Sequence, residues 1–455
     1  MYKLSLFCVF LFCSINAFAQ NDVLEEYIGV GLQNNLALKQ KEFSLKRSIA
    51  ELREAKGMFL PSVGINARYS RADGGREFEI PVGDLVNPIY SAINQLSGSN
   101  NFPTNIPNER INFFRKKEHD TKISLVQPIF QPKILFNYKI ISRLSDVEKA
   151  KRNIYARSLV ADIKKSYYNY LSAIETVKLF EETEKLLLEN LRVSESLFNN
   201  QKVTEDVVFR ANAELSELQQ QKAGAEKNEY MAASYFNFLL NRPLDEKIKI
   251  VIESKENDEN LPHIETYTEF AKINREEFYQ LDRAIEAAEY SIDLSKSDFL
   301  PGVALAFDYG FQGEEYKFNS DNDYWMASVV LNWNLFNGFR DAAKVSQAKY
   351  QKSELEAKKN EAAKQISLEV REAYQNVVVS LKSYAAAEDR LESVSKAFKI
   401  IERKYREGLV NQIEFLDART TLTQAGINKI ITGNKLFVNK AELERVAALY
   451  QIEFD

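Results

Sequence analysis

Along most of the chain hydrophobic positions recur at helical spacing, and in four short stretches they alternate instead. Ile163, Tyr167, Tyr170, Ile174 and Val177 stand at intervals of 4, 3, 4 and 3. Val370, Tyr374, Val377, Leu381 and Tyr384 repeat those intervals 207 residues later. This is a heptad seam, the pattern of a helix that packs along a partner helix. Good helix formers (Ala, Glu, Lys, Gln) fill the positions between. No proline interrupts residues 133–199, so the first seam predicts a helix of roughly 100 Å at about 1.5 Å per residue. A comparable run covers about 340–407. Helices of that length belong to coiled coils, arrays or spacers.

The alternating stretches predict strands at 61–71, 119–130, 301–311 and 324–336. Val63, Ile65, Ala67 and Tyr69 share one parity; Ser62, Gly64, Asn66, Arg68 and Ser70 share the other. Val303, Leu305, Phe307 and Tyr309 do the same, as do Trp325, Ala327, Val329, Leu331, Trp333 and Leu335. Ile123, Leu125, Gln127 and Ile129 give the weakest pattern. Strands of about ten residues, apolar on one face and small or polar on the other, suit a membrane barrel. Tyr69, Tyr309, Trp325 and Trp333 fall near strand ends, where interfacial girdles place aromatic rings. A four-stranded sheet packed on helices would meet the same pattern without a membrane.

The two sets of elements are copies. Phe59-Leu60-Pro61-Ser62-Val63 returns as Phe299-Leu300-Pro301-Gly302-Val303, and Ile129-Phe130 returns as Leu335-Phe336. These landmarks lie 71 residues apart in the first half and 37 in the second, so the first half carries an insertion of 34. Residues 71–118 hold it. Gly74-Gly75 and four prolines mark it as a long surface loop, with a short helix near 89–97. The expected organisation is a first repeat over 20–242, a linker over 243–265 with a short strand at Lys247–Ile252, and a second repeat over 266–455.

Residues 1–19 read as a signal peptide: Lys3, an apolar run from Leu4 to Phe12, then Ala17-Phe18-Ala19 at the cleavage site. Both cysteines, Cys8 and Cys13, lie inside it, so the mature chain forms no disulfide and no thiolate metal site. After Gln20 no apolar run reaches the 18 or so residues of a membrane helix. Entry into a membrane would therefore be as a barrel. Known bacterial barrels need at least about 8 strands. One chain supplies four, so several copies would pool theirs. The formal net charge of −5 argues against a nucleic-acid partner. His119 and His263 are the only histidines, neither in a ligand spacing, and no nucleophile-elbow, P-loop or dinucleotide pattern occurs. No enzyme activity, cofactor or metal is expected.

Near the end of the second long helix, Tyr405-Arg406-Glu407-Gly408 closes a helix with glycine where a left-handed cap is favoured. Leu409 and Val410 follow as apolar turn residues, either a docking surface or a local staple. The first-half counterpart, Gln201-Lys202-Val203-Thr204, lacks the glycine. Glu414 and Asp417 share one face of the returning helix. On the residues alone they read as a solvated pair at a helix start.

Taken in order, these features resemble the TolC-like outer-membrane factor family. The resemblance is carried by Leu335-Phe336-Asn337-Gly338-Phe339 at the turn from the last strand into a long helix, and by Tyr405 to Ala418 at a hairpin turn. It implies a mainly α fold with a membrane β-barrel part, built from a duplicated helix–strand–strand–helix unit. A homotrimer would form a 12-stranded barrel in outer-membrane lipid, continued by a periplasmic coiled-coil barrel. It further implies a passive exit duct for efflux or type I secretion, working with a periplasmic adaptor and an inner-membrane pump. On the same grounds Tyr405, Glu414 and Asp417 would form the periplasmic gate. Gly408, Leu409, Val410, Lys202, Val203 and Thr204 would form the adaptor-docking tip. Two departures stand out: Val410 takes the place of a basic residue, and Val207 that of an acidic one, with Asp206 beside it. The rival reading is a periplasmic coiled-coil structural or adaptor protein with no membrane barrel.

Overall fold

A computed structural model describes residues 22–250 and 261–452; the expected leader lies outside them. The elements run α1 (Asp22–Asn34), α2 (Leu36–Gly57), β1 (Ser62–Arg71), β2 (Glu77–Ile80), α3 (Val82–Ser97), β3 (Glu109–Asn112), β4 (Lys117–Phe130), α4 (Pro132–Asn199) and α5 (Glu205–Leu239). They continue with α6 (Ile264–Asn274), α7 (Glu276–Lys296), a single 3-10 turn (Ser297–Phe299), β5 (Gly302–Gly313), β6 (Asp323–Asn332), α8 (Arg340–Arg406) and α9 (Gln412–Val446). The long helices α4 and α8 have 68 and 67 residues, about 100 Å each. Among the described residues no helix is long and apolar enough to cross a membrane. The chain divides into two compact units, one helical and one that holds all six strands together with α3 and several helix ends.

In the helical unit the duplication is visible in the core. Tyr27, Leu159, Ile163, Tyr167 and Phe236 form one buried cluster. Tyr267, Ile366, Val370 and Leu443 form another, with Tyr374 packed against it. The heptad seam supplies both, because residues at 4-3 spacing stay on one side of a helix. Burying each large side chain stabilises the fold by about 1.5–3 kcal/mol. The helix breaks are duplicated too. Asn35, between α1 and α2, accepts a bond from Leu38 N at 2.9 Å and donates to the Leu239 carbonyl at 2.9 Å. Arg275, between α6 and α7, donates to the Val446 carbonyl at 3.2 Å. Its guanidinium also meets Glu277 at 2.7 Å and Glu369 at 3.2 Å. Each break residue thus ties a short helix to the end of a returning long one.

The strand unit contains an antiparallel sheet in the order β1-β4-β5-β6. The register places Ile65 opposite Ile123, Ile123 opposite Tyr309, and Tyr309 opposite Trp325. Odd-numbered positions therefore share a face on all four strands. That face is apolar and exposed: Val63, Ile65, Ile123, Leu305, Phe307, Trp325, Val329 and Leu331 lie open, and Tyr69, also exposed, stacks on Tyr316. Even-numbered positions carry the polar contacts. Lys122 meets Asp308 at 2.6 Å, Tyr324 donates to Asp120 at 2.9 Å, and Asn66 donates to Ser124 at 3.3 Å. Val126, Met326 and Val330 are the apolar exceptions on that side. β1 and β6 each pair on one side only, leaving two open edges.

Several expectations need correction. The last strand stops at Asn332 rather than running to residue 336, because its partner β5 begins at Gly302, which faces Asn332. Beyond it, Trp333 turns to donate its indole N–H to the Phe299 carbonyl at 3.0 Å. Residues 247–250 form no strand; 251 and 252 lie outside the described residues. The insertion is not a plain loop. A β2–β3 ribbon continues outward from β1 and β4 and holds α3, which starts at Val82, ahead of Pro88.

Candidate functional site at the hairpin tips

Two helical hairpins, α4–α5 and α8–α9, end in turns built from equivalent residues. In the second, Gly408 has φ +74°. Its amide donates to the Tyr405 carbonyl at 3.0 Å, and Leu409 N donates to the Lys404 carbonyl at 2.8 Å. That is a left-handed helix cap. In the first, Gln201 takes the glycine's place with φ +56°. Gln201 N donates to the Phe198 carbonyl at 2.8 Å and Lys202 N to the Leu197 carbonyl at 2.9 Å. The backbone of the tip is therefore conserved between halves although the glycine is not. Asn411 caps α9, its side chain accepting from Glu414 N at 3.0 Å. Thr204 precedes α5, and its hydroxyl bonds to Asp206.

The six tip residues divide by exposure. Leu409 is 69% exposed, and Gly408, Lys202 and Thr204 are exposed too. Val410 and Val203 are only half-buried to half-exposed, so the apolar turn surface is Leu409 rather than a Leu409–Val410 pair. Glu414 and Asp417 both stand exposed on the first turn and a half of α9, on the side away from buried Phe415 and Leu416.

Tyr405 points inward. Its ring stacks on Phe415 with centroids 4.7 Å apart, and its hydroxyl accepts a bond from Asn190 Nδ2 at 3.2 Å. Asn190 belongs to a network that the sequence did not reveal. Gln412 Nε2 donates to the Val207 carbonyl at 2.9 Å, to Ser194 Oγ at 3.2 Å and toward Asn190 Oδ1 at 3.5 Å. Gln412, Asn190 and Ser194 are all buried. Two turns further, buried Arg419 on α9 pairs with Glu214 on α5. The two hairpins are thus joined at their tips by polar side chains inside an apolar shell of Phe180, Leu187, Leu218 and Phe398. Tyr405 lies in this network, whereas Glu414 and Asp417 do not. A polar residue on a long helix ordinarily reads as solvated, so no signal in the sequence marked Asn190, Ser194 or Gln412. Among the described residues no cluster of His, Cys, Asp and Glu has a metal-holding arrangement.

A four-stranded sheet with a bare apolar face and open edges, joined in one chain to helices of about 100 Å, is the fold of an outer-membrane channel protomer. Residues 269–448 match the outer membrane efflux protein family, in line with the TolC-like resemblance of the sequence. It is 20% identical to the outer membrane protein TolC of Escherichia coli over 427 residues, 90% of this chain and 80% of that one. A probable efflux pump outer membrane protein of Pseudomonas putida, TtgC, is 22% identical over 177 residues, 38% of this chain and only 36% of that protein's own length. Among solved structures, the CmeC outer membrane channel of Campylobacter jejuni superposes with a TM-score of 0.77 at 17% identity, covering 94% of this chain and 85% of that one. The MtrE outer membrane channel of Neisseria gonorrhoeae gives 0.75 at 17% identity, covering 93% and 88%.

Proposed function

We propose that the chain is the outer-membrane exit duct of a tripartite efflux or type I secretion apparatus, a passive conduit with no chemistry of its own. The observation that carries this is the sheet: apolar and bare on its odd-numbered face, hydrogen-bonded on the other, and open at β1 and β6. Water does not tolerate so large an apolar face, and lipid does not tolerate the open edges, since each unpaired backbone group there costs several kcal/mol. Lipid with edge-to-edge closure between copies answers both. Three copies pool four strands each into a 12-stranded barrel, and the long helices continue the passage into the periplasm.

On this reading the tip around Leu409 and Lys202 to Thr204 meets a periplasmic adaptor, which links the duct to an inner-membrane pump. Glu414 and Asp417, exposed on one face of α9, ring the narrow entrance in three copies, and Tyr405 holds the entrance closed from behind. The test uses Leu409→Cys in a mature chain that has no other cysteine. Outer membranes should yield a heat-modifiable trimer, and cross-linking from position 409 in intact cells should capture an adaptor-class protein. A mature protein that stays soluble without detergent would instead identify a periplasmic coiled-coil protein and overturn the duct.

A further inference from the structure

The insertion after β1 is a built module with one side unfinished. Its stem extends the β1–β4 pairing outward: Ala72 N donates to the Lys116 carbonyl at 3.2 Å and Phe113 N to the Arg76 carbonyl at 2.9 Å. The β2–β3 ribbon follows, and α3 caps it. One side of α3 is sealed by residues 102–108. Asn87 exchanges bonds with Ile106 at 2.9 and 2.8 Å, and Asn94 with Phe102 at 2.7 and 3.1 Å. Gly83 leaves no room for a side chain there, since a Cβ would stand 2.0 Å from the Ile106 carbonyl oxygen. The other side carries Leu85, Ile89, Ile93 and Leu96, at helical spacing and all exposed, Leu96 to 89%.

Charge and position select what covers this stripe. A helix that lies in a lipid surface typically carries Lys or Arg along its polar face. The only charged residue of α3 is Asp84, which disfavours an anionic leaflet. Position favours another protein chain. The module is rooted on β1, one of the two open edges, and the other open edge is β6. In a closed ring the contacts between copies are head-to-tail, so β1 of one copy takes β6 of the next. β1 ends outward at Arg71 and β6 begins outward at Asp323. An antiparallel closure therefore brings the next copy's 314–322 loop beside the module. That loop carries Tyr316 and Phe318, each still more than half exposed although Tyr316 stacks on Tyr69 and His119 of its own chain and Phe318 meets its own Phe311 edge-on.

We propose that α3 is a clasp between subunits, its Leu85–Leu96 stripe packing on the 314–322 loop of the next copy at the outer rim of the barrel. The proposal rests on the ring of copies inferred above. The test places the photo-cross-linking residue p-benzoylphenylalanine at Leu96, a position whose exposure spares the fold of the isolated chain. The full-length protein is purified in detergent, its native mass is measured before irradiation, and the products are denatured and mapped. The expected result is a covalent dimer of this chain joined between position 96 and residues 314–322. A native trimer that separates wholly into monomers after irradiation overturns the clasp and leaves the ring standing, and so does cross-linking to lipid after reconstitution. Absence of any oligomer before irradiation overturns the ring itself and the clasp with it.

Discussion

Replacing Tyr405 by Phe removes one hydroxyl from a site where the partner cannot find water. Asn190 is 2% exposed, and its Nδ2 donates to the Tyr405 hydroxyl at 3.2 Å. The stacking of the ring on Phe415 survives the change, so packing stays and only the acceptor goes. Leaving a buried amide donor unpaired costs about 1–3 kcal/mol. If the duct opens by parting the second hairpin from Asn190, that cost falls on the closed arrangement alone, because an opened tip hydrates the amide. The closed-to-open ratio should then drop by about 5- to 150-fold. The assay is single-channel recording of the reconstituted protein, comparing the open fraction of Tyr405→Phe, Asn190→Ala and the double variant. The two groups are in contact, so the double variant should open less than the sum of the singles, with an interaction of about 0.5–3 kcal/mol. An open fraction for Tyr405→Phe equal to that of the parent would refute the reasoning, and so would strict additivity across the cycle.

Three further outcomes follow from the tips and the helical core. Gly408→Ala should destabilise the fold by about 1–2 kcal/mol and Gln201→Gly should stabilise it, because both positions hold the left-handed backbone that penalises a Cβ; chemical denaturation reads both signs, and a neutral Gly408→Ala would contradict the cap. Glu414→Ala with Asp417→Ala should weaken block of single-channel current by di- and trivalent cations, since the two exposed carboxylates would be the charge that concentrates such ions; unchanged block would remove them from the entrance. Burial pushes the Asp162 carboxyl above its ordinary value against the pull of Lys165 and Arg445, with Glu442 pushing the same way as burial. Its folded form therefore holds a proton more tightly than the unfolded one. The resulting stabilisation is fully present below the ordinary aspartate value of 3.8 and is lost as pH rises through the raised value. Asp162→Asn should accordingly melt above the parent at neutral pH, with the gap closing as the medium is acidified toward the ordinary aspartate range; a gap independent of pH would show that desolvation is not its cause.

Much of the fold was legible because the residues that make it recur. Ile163 and Tyr167 return as Val370 and Tyr374, and in the structure Ile163, Tyr167 and Val370 sit in matching cores with Tyr374 against its own. The strands were legible because the alternation follows the pleat: the odd-numbered residues of β1, β5 and β6 share the bare face. What stayed hidden has a physical cause in each case. Asn35 and Arg275 do one job with unlike side chains, since either can donate to a carbonyl at the end of a returning helix. Pro88 masked the start of α3, although Pro ordinarily breaks a helix at its interior. The ribbon strands β2 and β3 have only four residues each, too short for a period to show.

The tips show why the site was harder to read than the fold. Gln201 and Gly408 adopt the same left-handed backbone, so turn geometry cannot be what distinguishes the halves. The difference lies in which side chains reach across. From the second half come Tyr405, Gln412 and Arg419; from the first come Asn190, Ser194, the Val207 carbonyl and Glu214. Each bond joins residues more than 200 positions apart, and each residue alone looks like an ordinary polar position on a helix. Buried polar groups joined this way hold one arrangement firmly while they stay dry and lose little once water reaches them. A latch between two hairpins needs that property, and an apolar seam does not have it, because parting an apolar seam exposes surface at every step. The heptads that hold each hairpin together and the polar network that joins the hairpins are therefore different kinds of contact, and in the proposed duct the second is the place for rigid helices to part without unfolding.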